Sequence, residues 1–225
     1  MFKDKGIIIG IVVTIFLIAG GIFLMTKNDT VKPSAPVSSD ILIPKGDYET
    51  SGIVNGNYLP ATSSAKLTIV EFGDYQCPAC GIYHPFTKQL LTDFAGKINY
   101  VFRNFPLSQH GNAQISSQAA EAAGLQGKFW QMNDKLFETQ DSWSTLPDPK
   151  STFFTYAQDF GLDAAKFAAD LDSQAVKDKV KGDTNDGNLA NLTQTPTFFM
   201  NGVKIDNLPS NYEGLKSLVT EQLSK

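Results

Sequence analysis

Arginine occurs once in this 225-residue chain, at Arg103, and histidine and cysteine occur twice each. The formal net charge is −4, and no basic run is present anywhere. Setting aside the lysines and aspartates of residues 1–32 leaves 15 basic and 21 acidic residues, so the remainder carries −6. Such a body lacks the positive stripe that binds phosphate backbones, which excludes nucleic acid as a partner. A closed zinc site needs four ligands, and Cys77, Cys80, His84 and His110 are the only cysteines and histidines the chain offers. No internal repeat or low-complexity block occurs, so solenoid and fibrous architectures fall away. Hydrophobic content of 42% and charged content of 19% read as globular, and the length suits one well-buried domain with a small appendage.

What the chain does have is one long apolar run. Gly6 to Met25 holds 20 uncharged residues rich in Ile, Val, Leu and Phe. As a helix it would rise roughly 30 Å, the hydrocarbon thickness of a bilayer. Lys3 and Lys5 precede it, so residues 1–5 are expected as a cytoplasmic stub, with the body on the extracytoplasmic side. A cleaved signal peptide is the competing reading, but its apolar region is usually only about 7–15 residues. Residues 6–25 therefore predict a transmembrane signal-anchor; either reading exports the body.

Residues 26–60, with Pro33, Pro36 and Pro44, lack a sustained period and predict a flexible linker and lead-in. The body then spans 61–225. Leu67 to Phe72 predicts a strand apolar on both faces, as in the centre of a covered sheet. A helix is expected from Cys77 to about Phe94, and a second strand from Ile98 to Phe102. Helical spacing follows at Asn112–Gly124, Lys128–Gln140, Ser151–Phe160, Asp163–Leu171 and Ser173–Leu189, with Asp163, Asp172 and Ser173 as credible N-caps. Thr197–Met200 returns to strand, Asn201-Gly202 is a hairpin turn, and Tyr212–Leu223 predicts a last helix. The order is β-α-β, an all-helical insertion over about 106–190, then β-β-α: an α/β domain split by a helical one.

Cys77-Pro78-Ala79-Cys80 stands at the strand-to-helix junction. With Cys77 as N-cap, Pro78 falls at N1, where its missing N–H is harmless, and Cys80 lies one turn on, within reach of Cys77. The free N–H groups and dipole of the helix favour a thiolate at Cys77. A structural staple is the bland alternative. Closing so short a ring stabilises by only about 2 kcal/mol, against roughly 4.7 for a 100-residue loop. A metal site would need His84 at i+4 from Cys80 and His110 from a distant loop. Redox chemistry is the preferred reading.

The run Thr68-Ile69-Val70-Glu71-Phe72-Gly73-Asp74-Tyr75-Gln76-Cys77-Pro78-Ala79-Cys80, followed by His84-Pro85, resembles the active-site segment of the DsbA-like thioredoxin-fold family. Arg103-Asn104-Phe105-Pro106-Leu107, Phe129-Trp130 and Thr195-Pro196-Thr197-Phe198-Phe199-Met200-Asn201-Gly202 are similar to later landmarks of that family, and the likeness covers roughly 56–225. The resemblance implies a thioredoxin-like fold and the redox pair Cys77 and Cys80, with no other cofactor. It implies a cis bond at Thr195-Pro196, where sequence statistics alone favour trans. It makes Glu71 a buried carboxylate beneath the cysteines that accepts a proton from Cys80, although a solvated strand-end role is the plain alternative. Pro85 is expected to kink the active-site helix, a structural role. Asp74 and His84 complete the candidate set, His84 reading more readily as a packed residue. The helix positions Phe129, Trp130, Met132, Leu136 and Phe137 are expected mainly in the core, some edging a substrate groove.

The resemblance further implies reduced exported client proteins as substrates, an integral membrane quinone-linked re-oxidase, and a monomer. Ala79 stands where the strongly oxidising archetype has histidine, which predicts a less oxidising pair. A reductase or isomerase on the same fold is the nearest rival, though the roughly 35 residues before the fold are too few for the dimerisation domain of the isomerases. A non-catalytic exported binding module is the rival from another class.

Overall fold

The computed structural model describes residues 48–225. The stub 1–5, the apolar run 6–25 and the linker as far as residue 47 lie outside the described residues. Among the described residues no helix is long and apolar enough to cross a membrane.

Two strands form the centre: β3 (Leu67–Gly73) and β4 (Ile98–Asn104) pair in parallel over their full length. Both are buried on both faces, which is why each reads as a near-continuous apolar run rather than an alternating one. Helix α1 (Pro78–Asp93) makes the connection between them. Strand β5 (Thr197–Met200) lies antiparallel beside β3 and turns through Asn201-Gly202 into β6 (Val203–Lys204). Asn201 and Gly202 have φ of 47° and 81°, the left-handed geometry this turn requires.

The other edge corrects one expectation. Residues 26–60 read as linker and lead-in, yet Glu49–Val54 (β1) and Asn57–Pro60 (β2) form an antiparallel hairpin, and β1 pairs with β4. Asn55 and Gly56, at φ 50° and 77°, are a second hairpin dipeptide. The flanking strands carry Thr, Ser, Gly and Asn and lack apolar alternation, so the period gave no signal there. Hydrogen bonds replace it: Thr50 Oγ1 donates to the Leu59 carbonyl at 2.7 Å and Ser51 Oγ to that of Pro60 at 2.7 Å. The strand order is β2-β1-β4-β3-β5-β6.

The helical insertion comprises α2 (Ala113–Gly124), α3 (Phe129–Glu138), α4 (Gln140–Trp143), α5 (Lys150–Asp159), α6 (Ala164–Leu171) and α7 (Gln174–Leu189), and α8 (Tyr212–Leu223) closes the chain. Asp163 and Ser173 cap α6 and α7 through their side chains, whereas Asp172, the third candidate, is the C-cap of α6. The single helix expected over Lys128–Gln140 breaks at Thr139, and Trp143 is drawn inward to donate its indole N–H to the Leu136 carbonyl at 2.9 Å. Phe129, Met132, Leu136 and Phe137 are buried, while Trp130 stacks on Tyr58 of β2 at 5.1 Å. That stack ties the hairpin to the insertion and places Trp130 in packing rather than on a groove edge.

Alternation assigns the two sheet faces. Ile69, Glu71, Tyr100, Phe102 and Phe198 share the face under α1 and α8, in the larger core. Val70, Phe72, Val101, Phe105 and Phe199 point the other way, beneath α7. A Cβ at Gly187 of α7 would come within 2.5 Å of the Phe105 ring, so only glycine lets the helix lie this close. On the same face, fully buried Arg103 donates from Nε to Asp183 at 2.8 Å and from Nη2 to Asp186 at 2.7 Å.

Candidate active site

Cys77 is the N-cap of α1, with extended φ and ψ of −72° and 120°, and Pro78 occupies the first helical turn. Pro85 lies inside the helix, where it withholds a hydrogen bond from the preceding turn. No side chain caps this end, so its N–H groups face the Cys77 sulfur. Both cysteines are buried free thiols, 3.9 Å apart; Cys77, the outer or rim sulfur, keeps 7% exposure and Cys80 none.

Their electrostatics diverge. A hydrogen bond from the Cys80 thiol pulls the Cys77 thiol down to about 5; partial desolvation opposes this, and the Thr195 hydroxyl and the N–H groups of Cys80 and Ala79 add to it. Burial pushes the Cys80 thiol up, reinforced by its bond to Cys77 and the charge on Glu71. At neutral pH the rim sulfur is a thiolate and the buried one a thiol.

The Thr195-Pro196 bond is cis, as the resemblance implied. It brings the Thr195 carbonyl within 3.4 Å of the Cys77 sulfur, and the Thr195 hydroxyl is buried with no other partner. Glu71 is 2% exposed, a buried carboxylate as the resemblance implied, and the alternative of a solvated strand end falls away. Paired across the sheet with Phe102 and Phe198, it has no route to solvent at the strand end. Desolvation raises its carboxyl to about 7, although the Tyr100 hydroxyl, donating to Oε2 at 2.6 Å, and Thr87 favour the charged form; the Cys77 charge raises it further.

This burial has a measurable sign. The folded protein holds the Glu71 proton more tightly than the unfolded chain. Its contribution is complete below about pH 4.5 and is lost as pH rises through 7, the loss reaching about 3 kcal/mol by pH 8. Urea unfolding of the oxidised protein, in which Cys77 cannot titrate, should therefore show Glu71→Gln gaining on the wild type by that amount between pH 4.5 and pH 8. A stability difference independent of pH would contradict the assignment.

His84 is buried against α3. It stacks on Phe137 at 4.8 Å and faces Asp134 at 3.3 Å, so it is a packing residue. His84, Asp134 and Glu138 form a cluster of metal-binding type. Lys88 fills its cationic position, with Nζ 3.1 Å from Asp134 and 2.7 Å from Glu138, so a metal ion would have to displace it.

Asp74 is fully buried, and its carboxylate accepts from the N–H groups of Gln76 at 2.8 Å and Leu107 at 3.0 Å and faces His110 Nδ1 at 2.6 Å. Two further residues escape a reading by motif. Gln140, at the break between α3 and α4, donates from Nε2 to the carbonyls of Tyr75 at 2.6 Å and Cys77 at 3.0 Å. Tyr100 holds Glu71. Neither stands in a local pattern; the i, i+2 relation of Tyr100 to Phe102, opposite Glu71, was the one available signal.

The arrangement can exchange a disulfide: a low-lying rim thiolate, a buried partner thiol, a carboxyl titrating near neutrality beneath them, and a backbone carbonyl beside the rim sulfur. Comparison with known proteins agrees with the architecture. The BdbD crystal structure from Bacillus subtilis superposes with a TM-score of 0.68 at 23% identity, covering 86% of this chain and 98% of that one. The thiol-disulfide exchange protein α-DsbA2 of Wolbachia pipientis gives a TM-score of 0.64 at 17% identity, covering 81% and 90%. A curated relative from Salinispora arenicola, the Na(+)/H(+) antiporter NhaA 1, is 38% identical over 157 residues. That match takes in 69% of this chain but only 23% of the antiporter, so the chain spans about a quarter of that relative's length. The thioredoxin family model matches residues 58–221, and the chain therefore belongs to the thioredoxin family, with the fold of the DsbA-like proteins.

Proposed function

We propose that the chain is a thiol–disulfide oxidoreductase acting as a dithiol oxidase on exported clients. The observation that carries this reading is the opposed pull on the two sulfurs, with Cys77 down to about 5 and Cys80 up. A stabilised Cys77 thiolate stabilises the reduced pair and so makes the disulfide oxidising. A client thiolate attacks Cys77 Sγ, the Cys77–Cys80 bond breaks, and its electron pair leaves on Cys80, which takes a proton from Glu71. A second client thiolate then attacks the client sulfur, releasing an oxidised client and the Cys77 thiolate. Thr195 beside cis-Pro196 offers its backbone to the client chain.

The redox pair needs no further cofactor. Residues 6–25 anchor the protein with its domain outside the cytoplasm. A quinone-linked integral membrane partner re-oxidises it, and restriction of both to one surface raises their encounter. The protein works as a monomer. Antiport belongs to the longer relatives and is not part of this reading.

The test is the reduction potential of the full chain in detergent, equilibrated in glutathione buffers and read by thiol alkylation. A value near or above about −180 mV is expected. A value near about −270 mV would assign a reductase instead.

A further inference from the structure

Both cysteines are tied to one residue that is not itself a redox group. The Asp74 carbonyl accepts the Cys77 N–H at 3.0 Å, and the Asp74 N–H points at the Cys80 sulfur at 3.5 Å. That backbone is fixed from its side chain. The Asp74 carboxylate is fully buried and held by Gln76, Leu107 and, at 2.6 Å, His110 Nδ1. A carboxylate only accepts, so the network assigns the proton of this bond to Nδ1. His110 comes from the segment after β4 and keeps 20% of its side chain exposed, so small solutes reach it.

We infer that His110 is a positioning residue for disulfide exchange: by gripping the Asp74 carboxylate it keeps the Asp74 N–H aimed at Cys80 Sγ, the atom that becomes a thiolate when Cys77 is attacked. This rests on the oxidoreductase reading above. In that step the attacking thiolate forms a bond to Cys77 Sγ, the Cys77–Cys80 bond breaks, and the electron pair stays on Cys80. Cys80 is fully buried, so no bulk water solvates the new charge. A backbone N–H supplied in advance takes that role, and hydrogen bonds to charged groups are the strong ones. By microscopic reversibility the same N–H favours the Cys80 thiolate when it attacks to expel a bound client. Gln76 and Leu107 still hold the carboxylate without His110, so its loss loosens the aim and leaves the carboxylate partnered.

The experiment mixes the oxidised full chain in detergent with reduced glutathione and follows mixed-disulfide formation by rapid quench and mass spectrometry. His110→Ala should slow the step about tenfold. Asparagine places an amide nitrogen near the position of Nδ1, so His110→Asn should stay within about twofold of the wild type. Glutamine places its nitrogen near Nε2 instead, so His110→Gln should be slow. Added imidazole should restore part of the rate to His110→Ala. Should the alanine variant fail to fold, the asparagine–glutamine contrast decides alone. Equal rates for those two, or an alanine variant as fast as the wild type, would overturn the inference while leaving the oxidoreductase reading in place. A wild type that exchanges with no thiol at all would bring both down.

Discussion

Replacing Cys77 by serine is expected to lower exchange with a reduced dithiol peptide by at least about a thousandfold. Serine cannot form the Cys77–Cys80 disulfide, and its hydroxyl does not ionise near neutrality. The remaining sulfur is a poor substitute. Cys80 is fully buried and its thiol is pushed up, so it is neither reachable nor ionised. Cys80→Ser should act differently, since the rim thiolate survives: a reactive Cys77 that captures client disulfides and releases them slowly. Thiol alkylation followed over pH measures the difference directly, with Cys77 reacting as a thiolate from about 5 upward. If Cys77→Ser leaves the protein's activity intact, the chain is a binding module and the redox reading ends.

Asp183→Ala is expected to destabilise the fold by about 3–5 kcal/mol, a large share of the ~5–15 kcal/mol that holds a typical domain together. Asp183 is 1% exposed and receives four donors: Arg103 Nε at 2.8 Å, the Asn104 N–H and Nδ2 at 3.0 Å each, and Lys179 Nζ at 2.7 Å. Its removal takes from fully buried Arg103 the carboxylate that accepts from its Nε, in a cluster where Asp186 accepts from Nη2. The cost is that of breaking a buried ion pair and stripping the Asn104 donors of their acceptor, rather than of losing a surface contact. Because Arg103 and Asp183 lie on the sheet face opposite Glu71, the pH dependence of Cys77 alkylation should stay that of the wild type. Urea unfolding gives the stability; a loss below about 1 kcal/mol would mean that the cluster is solvated.

Local patterns carried most of the fold to the page. The two-sided apolar runs of β3 and β4, the caps at Asp163 and Ser173 and the Asn201-Gly202 turn are short-range signals, and each was realised within a residue or two. The hairpin of β1 and β2 was not legible, because its pairing rests on Thr and Ser hydrogen bonds and on an edge contact with β4 instead of apolar alternation. Helix α7 stands where it was expected, on its cap and helix formers rather than on an apolar stripe. Its buried positions Val176, Val180, Asp183 and Gly187 follow helical spacing, but half of that stripe is neither apolar nor large.

The sequence by itself determined the reacting pair. Cys77-Pro78-Ala79-Cys80 at a strand–helix junction fixes a helix N-terminus and two sulfurs one turn apart, and those facts lie within four residues. Only the tertiary structure decided what surrounds them. Asp74 comes to His110, Glu71 to Tyr100 and Thr195 to Cys77 from 36, 29 and 118 residues away. The shifts that separate Cys77 from Cys80 depend on burial and on charges brought in from distant segments, quantities that exist once the chain has closed over them.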